Sequence, residues 1–297
     1  MNRHVNYIIT HDCNLNCLHC YQGGLRSHHG RFASKNDIYV DLNFFWEKGV
    51  HSIQFTGGEC TTHPSFSNIL KFAYNKGFKV SIFTNGQKKI GTDIDYIEHF
   101  FMSLDGPKNI HNTIRNSHFA YDNVIDRLKE IREARKKVSL QVSINKLNIN
   151  CYDELKNILI EYLDIISDVR LIKTINTGNV LKNHSIALQE SDIKSIIEIK
   201  SRILNDFHYH LSVCDNIYTK QQIKNFCLGN SRQFSLWYDG IVRKFYCFAD
   251  TIDVSRDLSE YSDESIKTLN DIIKARINNA IEIDKEYYSL DDIIINT

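Results

Sequence analysis

The sequence predicts an α/β fold: a partial (β/α)6 barrel followed by a short C-terminal α+β extension. Three observations predict it. Strand-like and helix-like stretches alternate up to Ile175 with a period of about 30 residues, and such alternation builds parallel strands joined by right-handed crossovers. The motifs that carry chemistry fall just after the strands, where complete barrels place their functional loops. Beyond Ile175 the repeat fades, and cysteines spaced around a hairpin pattern replace it.

The elements follow in order. Residues 5–10 (Val-Asn-Tyr-Ile-Ile-Thr) read as strand one. Residues 35–48 read as a helix with Ile38, Leu42, Phe45 and Trp46 on one stripe, and Gly49 ends it. Residues 52–55 are strand two. Pro64 suits a first helical turn, Phe66, Ile69, Leu70 and Ala73 form the buried face, and Gly77 closes that helix. Residues 78–84 are strand three, followed by Asn85-Gly86. Residues 100–104 are strand four, followed by Asp105-Gly106-Pro107. A helix over about 121–136, an alternating strand at 138–144, a helix at 152–163 and a sixth strand at 169–173 complete the repeat. Residues 191–207 read as a last helix. The expected division is a barrel over 1–207 and an extension over 208–297. A partial barrel leaves a lateral opening, which suits a substrate larger than a metabolite.

Composition narrows the function. The 297 residues carry 36 Lys+Arg and 36 Asp+Glu, for a formal net charge of zero. That balance argues against nucleic acid as the main partner. The N-terminus lacks the charged, apolar, small-residue order of a signal peptide, and no apolar stretch approaches a membrane span. The eight cysteines are therefore expected as thiols in a reducing, cytoplasmic compartment.

The cysteine pattern is specific. Cys13, Cys17 and Cys20 fall in one loop with gaps of three and two residues, and Tyr21 follows the last. Three soft ligands in a short loop can wrap a metal cluster and leave one coordination position empty. Zinc is the alternative, but it usually takes a second pair of ligands at matched spacing, and the sequence has none. Gly57-Gly58-Glu59 ends strand two. Two glycines allow close backbone approach, and the acid can accept from an ammonium group.

These motifs, in this order, resemble the radical S-adenosylmethionine superfamily. The resemblance implies a TIM-like partial barrel with a four-iron, four-sulfur cluster on Cys13, Cys17 and Cys20. It implies that S-adenosylmethionine chelates the open iron. Gly57, Gly58 and Glu59 would hold its amino group, and Tyr21 would pack near the adenine. Thr84-Asn85 resembles the family's third-strand ending. Ser103-Leu104-Asp105-Gly106-Pro107 and His111-Asn112-Thr113-Ile114-Arg115 resemble its peptide- and protein-modifying branch. That branch usually has His-Asp where this chain has His111-Asn112. By that likeness Ser103 contacts the ribose or carboxylate, and Arg115 reaches the carboxylate with a planar guanidinium. Asn145 follows strand five and faces either the ligand or its own loop as a cap.

Cys214, Cys227 and Cys247 surround an Asp239-Gly240 turn signal, which resembles the opening of the auxiliary-cluster extension of that branch, called SPASM when long and twitch when short. The glycine-to-cysteine gap is six where four is usual, and the later cysteine run is absent. At most one auxiliary cluster is expected, on Cys214, Cys227 and Cys247. The alternatives are core thiols or a hydrogen-atom donor, for which Cys227 is the candidate. Cys60 and Cys151 lack partners in the pattern and read as buried small hydrophobes, but Cys60 adjoins the Gly-Gly-Glu loop and is also a candidate for a catalytic thiol. Strand one starts close to Met1, so no leader-binding domain is expected ahead of it.

The resemblance implies reduction by flavodoxin or ferredoxin, cleavage of S-adenosylmethionine to a 5′-deoxyadenosyl radical, and hydrogen abstraction from a peptide or protein. Maturation of ribosomally made peptides by epimerisation, cross-linking or oxidation is the leading reading. A dehydrogenase or cyclase acting on a small-molecule precursor is the alternative. A non-catalytic iron–sulfur or S-adenosylmethionine-binding module is the alternative of another class.

Overall fold

The computed structural model describes residues 3–23, 32–47, 49–215, 217–218, 234–237, 242–244 and 288–289. In chain order the first half runs β1 (Arg3–Thr10), α1 (Lys35–Glu47), β2 (Val50–Gly57), α2 (Phe66–Lys76), β3 (Lys79–Thr84), β4 (His99–Ser103), α3 (Lys108–Arg115) and α4 (Ala120–Glu133). The second half runs β5 (Lys137–Ile144), α5 (Tyr152–Glu161), β6 (Ile166–Lys173), α6 (Ile193–Phe207), β7 (Ser212–Asp215), β8 (Ile217–Tyr218), β9 (Phe234–Trp237), β10 (Val242–Lys244) and β11 (Tyr288–Ser289).

Strands β1 to β7 lie side by side in sequence order, and every neighbouring pair is parallel. The sheet ends at β7 on one side. On the other, β9 adds parallel to β1 and β10 returns antiparallel to β9. Among the described strands the sheet is therefore open, as the partial-barrel expectation requires. The expected six strands become seven in the parallel run. The additional strand β7, Ser-Val-Cys-Asp, is too short and polar to stand out in the sequence. The hairpin expected around Asp239-Gly240 is present as β9 and β10. Helix α3 was not expected. Its eight residues carry only Ile110 and Ile114 as an apolar pair, and its end is fixed by Asn116 in the left-handed region at φ 52°.

The two faces of the sheet differ. One carries Val5, Tyr7, Ile53, Phe55, Val80 and Ile82, continued by Phe100, Met102, Leu140 and Leu171, all in the hydrophobic core. The helices cover this face with stripes such as Ile38, Leu42 and Phe45 of α1 and Val124, Leu128 and Ile131 of α4. The alternate residues face inward and are polar or aromatic: Asn6, Gln54, Ser81, Phe101, Gln141 and Arg170. A parallel sheet buried on both faces reads as near-continuous apolar runs, so this polar second face is not a second hydrophobic core.

Gly77 closes α2 as expected, at φ 101°, with its N–H donating to the Tyr74 carbonyl at 2.9 Å. Pro64 precedes the helix, which starts at Phe66 behind the N-cap Ser65. No helix among the described residues is long and apolar enough to cross a membrane.

Candidate active site

The three thiols sit on the loop that leaves β1, and none of them is in a disulfide. Four other segments fasten that loop. The Gly58 and Glu59 N–H groups donate to the Thr10 and Asp12 carbonyls, both at 2.8 Å. The Leu18 N–H donates to the Ile114 carbonyl of α3 at 2.9 Å. The Asn179 N–H donates to the Cys20 carbonyl at 2.9 Å, and Asn179 Nδ2 donates to Asn16 Oδ1 and to the Cys17 carbonyl, each at 2.9 Å. Asn85 Nδ2 donates to Cys13 Sγ at 3.6 Å and to Asn14 Oδ1 at 2.9 Å.

The Gly-Gly-Glu motif has a physical basis within the protein itself. A Cβ on Gly57 would stand 2.3 Å from the Thr10 carbonyl oxygen, and one on Gly58 would stand 2.4 Å from those of His11 and Asp12. The glycines are needed by the neighbouring backbone, which packs the second loop onto the thiol loop. Glu59 is buried, and its carboxylate is occupied locally. Oε1 accepts from Thr61 N–H at 3.2 Å, the Thr61 hydroxyl at 2.7 Å and the Thr84 hydroxyl at 2.9 Å. Oε2 accepts from the Asn85 N–H at 2.7 Å. Burial raises the Glu59 carboxyl, and those donors oppose the rise. Glu59 thus ties the loops after β2 and β3 together.

Arg115 is likewise engaged within the protein. Its Nε and Nη2 grip Asp105 Oδ2 at 2.6 Å and Oδ1 at 3.0 Å, and Nη1 reaches Cys17 Sγ at 4.0 Å. Burial would raise the Asp105 carboxyl, but Arg115, with His19 and His111, outweighs it and holds it at about 2. Burial would lower the Arg115 guanidinium, but Asp105 and then Cys17 raise it. His111 is fully buried and accepts the Asp105 N–H on Nδ1 at 3.0 Å. Burial holds its imidazole down at about 3, against the pull of Asp105.

The remaining candidates separate. Ser103, at the end of β4, is 5% exposed, and its hydroxyl has no hydrogen-bond partner among the described residues. Asn145 is a loop cap. Its Oδ1 accepts the Leu147 N–H at 2.9 Å and its Nδ2 donates to the Ser143 carbonyl at 2.9 Å. Tyr21 is exposed, and its hydroxyl accepts from Gln22 Nε2 at 2.9 Å. Cys60 lies in the core, where the reading of it as a buried small hydrophobe puts it. It is fully buried, donates to the Phe83 carbonyl at 3.3 Å, and is pushed up by burial and then by Glu59, so the thiolate is disfavoured. Cys214 is exposed on β7, while Cys227 and Cys247 lie outside the described residues.

The residues fit an iron–sulfur cluster. The thiols are outside any disulfide, and N–H donors reach the sulfurs of Cys13 and Cys17, the kind of contact that tunes cluster thiolates. Among the described residues no three His, Cys, Asp or Glu side chains converge on a single-ion site. The sequence alone did not single out the clamp at Gly178-Asn179. A Cβ on Gly178, at φ 58°, would stand 2.3 Å from the Tyr21 carbonyl oxygen and 2.4 Å from that of Cys20. A Gly-Asn pair just past a strand end was the available signal.

The comparisons agree with this geometry. A model of the radical SAM superfamily matches residues 7–159, more than half of the chain. The sporulation killing factor maturation protein SkfB of Bacillus subtilis is 23% identical over 200 residues, which cover 65% of this chain and 47% of SkfB. An S-adenosylmethionine-dependent nucleotide dehydratase of Selenomonas ruminantium is 25% identical over 214 residues, covering 68% of this chain and 77% of that protein. The chain thus spans about half the length of SkfB. The crystal structure of Streptococcus suis SuiB bound to S-adenosylmethionine shares the fold, with a TM-score of 0.67 and 14% identity over 92% of this chain and 65% of SuiB. SuiB has also been solved bound to the precursor peptide SuiA. With its thiol loop, its clamped Gly-Gly-Glu and its open parallel sheet, the chain belongs to the radical SAM superfamily, enzymes that use S-adenosylmethionine and a four-iron, four-sulfur cluster.

Proposed function

We propose that this enzyme modifies a peptide or protein substrate at a side chain or α-carbon. The observation that carries the reading is the open inner face of the sheet. Phe101, Gln141 and Arg170 are half-buried there, and Ser212 and Cys214 on β7 are exposed. Such a face admits a polypeptide segment laid across the strands. The names of SkfB, a maturation protein, and of SuiB, seen with a precursor peptide, point the same way.

When bound, the cluster and S-adenosylmethionine supply one-electron chemistry that removes hydrogen from an unactivated C–H bond. The chain's part is placement. Cys13, Cys17 and Cys20 hold the cluster, and Asn85 and Arg115 donate to its sulfurs. Ser103 and the backbone of the loops after β2 and β3 hold S-adenosylmethionine. A flavodoxin or ferredoxin in the cytoplasm supplies the electron. Residues 208–297 form a twitch-like extension, with an auxiliary cluster on Cys214, Cys227 and Cys247.

One observation favours a second reading, a nucleotide-like small molecule: the nucleotide dehydratase is matched over 77% of its length. The test is product formation. Reduced, reconstituted enzyme is given S-adenosylmethionine with either the peptide encoded beside its gene or a panel of nucleoside triphosphates. Stimulated 5′-deoxyadenosine release with a mass change in the peptide supports the proposal. The same response to a nucleotide alone overturns it.

A further inference from the structure

Strand register places four inner-face residues in one row. Ser103 pairs with Gln141, Gln141 with Arg170, and Arg170 with Cys214. Arg170 lies two strands from Ser103, about 10 Å at the usual spacing of about 4.8 Å per strand. Its guanidinium sits 5.1 Å from the centroid of Phe101, a cation–π distance. Phe101 stacks on Phe83 with centroids 6.0 Å apart and planes 4° apart. The aromatic pair is a platform that holds the guanidinium on the inner face.

Arg170 lacks what the other partly or fully buried arginines among the described residues have. Arg115 pairs with Asp105, Arg127 with Glu130, Arg132 with Asp164 and Arg202 with Asp153. Among the described residues the Arg170 guanidinium has no ion pair and no hydrogen bond; the ring contact is what holds it. The acid on the same face, Asp168, is turned to other work. It accepts from the Ser139 hydroxyl and from the Ser167 hydroxyl at 3.2 Å, and the Ser139 oxygen also meets His99 Nε2 at 2.7 Å. A half-desolvated guanidinium with five donors and no acceptor is completed by a planar anion that takes two of them.

We infer that Arg170 is a specificity-determining residue that binds a carboxylate of the substrate peptide, an Asp or Glu side chain. The inference rests on the peptide reading of this site. In an extended peptide, at about 3.3 Å per residue, the acid falls about three residues from the point that lies nearest Ser103.

Arginine labelling tests this directly. Holoenzyme with S-adenosylmethionine is treated with phenylglyoxal, and modification of Arg170 is followed by peptide mass spectrometry, with the paired arginines as internal standards. The probes are the blocked tripeptide Ac-Ala-Glu-Ala-amide, its glutamine counterpart and tripolyphosphate. The expected result is selective protection of Arg170 by the glutamate tripeptide and none by the glutamine one. Protection by tripolyphosphate without protection by the glutamate tripeptide overturns the carboxylate assignment and moves the anion to a nucleotide. No protection by any probe overturns the inference as a whole.

A second measurement separates this inference from the function it rests on. Arg170→Gln should raise the KM for a modified peptide about ten- to a hundredfold, the loss of a charge-assisted pair, while substrate-free cleavage of S-adenosylmethionine is unchanged. Equal turnover of acidic and amide forms of that peptide would defeat the role of Arg170 and leave the peptide reading standing.

Discussion

Asn85 donates its side-chain amide to the Cys13 sulfur at 3.6 Å. The bond links the loop after β3 to the thiol loop. It also matters to redox chemistry, since a donor on a ligating sulfur stabilises the more negative, reduced cluster.

Asn85→Ala should therefore lower the midpoint potential of the cluster. One net hydrogen bond of about 0.5–1.5 kcal/mol corresponds to about 20–60 mV for a one-electron couple. An EPR-monitored titration measures it. An unchanged or higher potential would show that the bond does not act on the cluster.

Glu59→Ala should destabilise the protein even without any cofactor. It removes the acceptor for the Thr61 and Thr84 hydroxyls and for the Thr61 and Asn85 N–H groups, all buried around it. Leaving such donors unpaired costs about 2–4 kcal/mol. Thermal unfolding of the metal-free chain is the measurement. Unchanged stability with weakened S-adenosylmethionine binding would return the carboxylate to the ligand.

The sequence carried the site's outline because its signals are local. The spacing of Cys13, Cys17 and Cys20, the Gly57-Gly58-Glu59 ending and the strand–helix period are each read within one window. What stayed hidden depends on pairing across distance. The Gly178-Asn179 clamp meets the thiol loop only once β6 has folded beside β5. The register row from Ser103 to Arg170 exists only when β4, β5 and β6 align. The reason for the two glycines was hidden too, since the atoms that need them belong to Thr10, His11 and Asp12. Helix α3 was invisible because a short polar segment, Lys-Asn-Ile-His-Asn-Thr-Ile-Arg, owes its helicity to packing rather than propensity.

The group around Asp105 sets a stepwise response to acid. Burial holds His111 at about 3, against an ordinary 6.5, so the unfolded chain takes up this proton first. Stability should fall as pH drops from 6.5 towards 3. Asp105 is held at about 2, against 3.8. Its contribution is present above pH 3.8 and lost as pH falls towards 2, worth about 2 kcal/mol. Urea unfolding of the metal-free chain across this range should show both windows. His111→Gln should flatten the upper one alone. Asp105→Asn should cost about 3–5 kcal/mol at neutral pH, because it strands Arg115 in a buried site. Curves of the same shape for all three proteins would remove these groups from the acid response.

Gly178→Ala tests whether the thiol loop needs its far clamp. Gly178 holds φ 58°, and the added Cβ would stand 2.3 Å from the Tyr21 carbonyl oxygen and 2.4 Å from that of Cys20. Both atoms are backbone, so the Gly178–Lys182 turn has to lift away. Lifting stretches the Asn179 N–H bond to Cys20 and the Asn179 side-chain bonds to Asn16 and Cys17. The left-handed conformation adds strain of about 1–3 kcal/mol. The core face of the sheet is untouched, so circular dichroism should match the parent. Iron retained after anaerobic reconstitution should fall steeply, and Asn179→Ala, which keeps the backbone bond, should lose less. Full iron retention by Gly178→Ala would show that the Gly58, Glu59, Leu18 and Asn85 bonds hold the loop without the clamp.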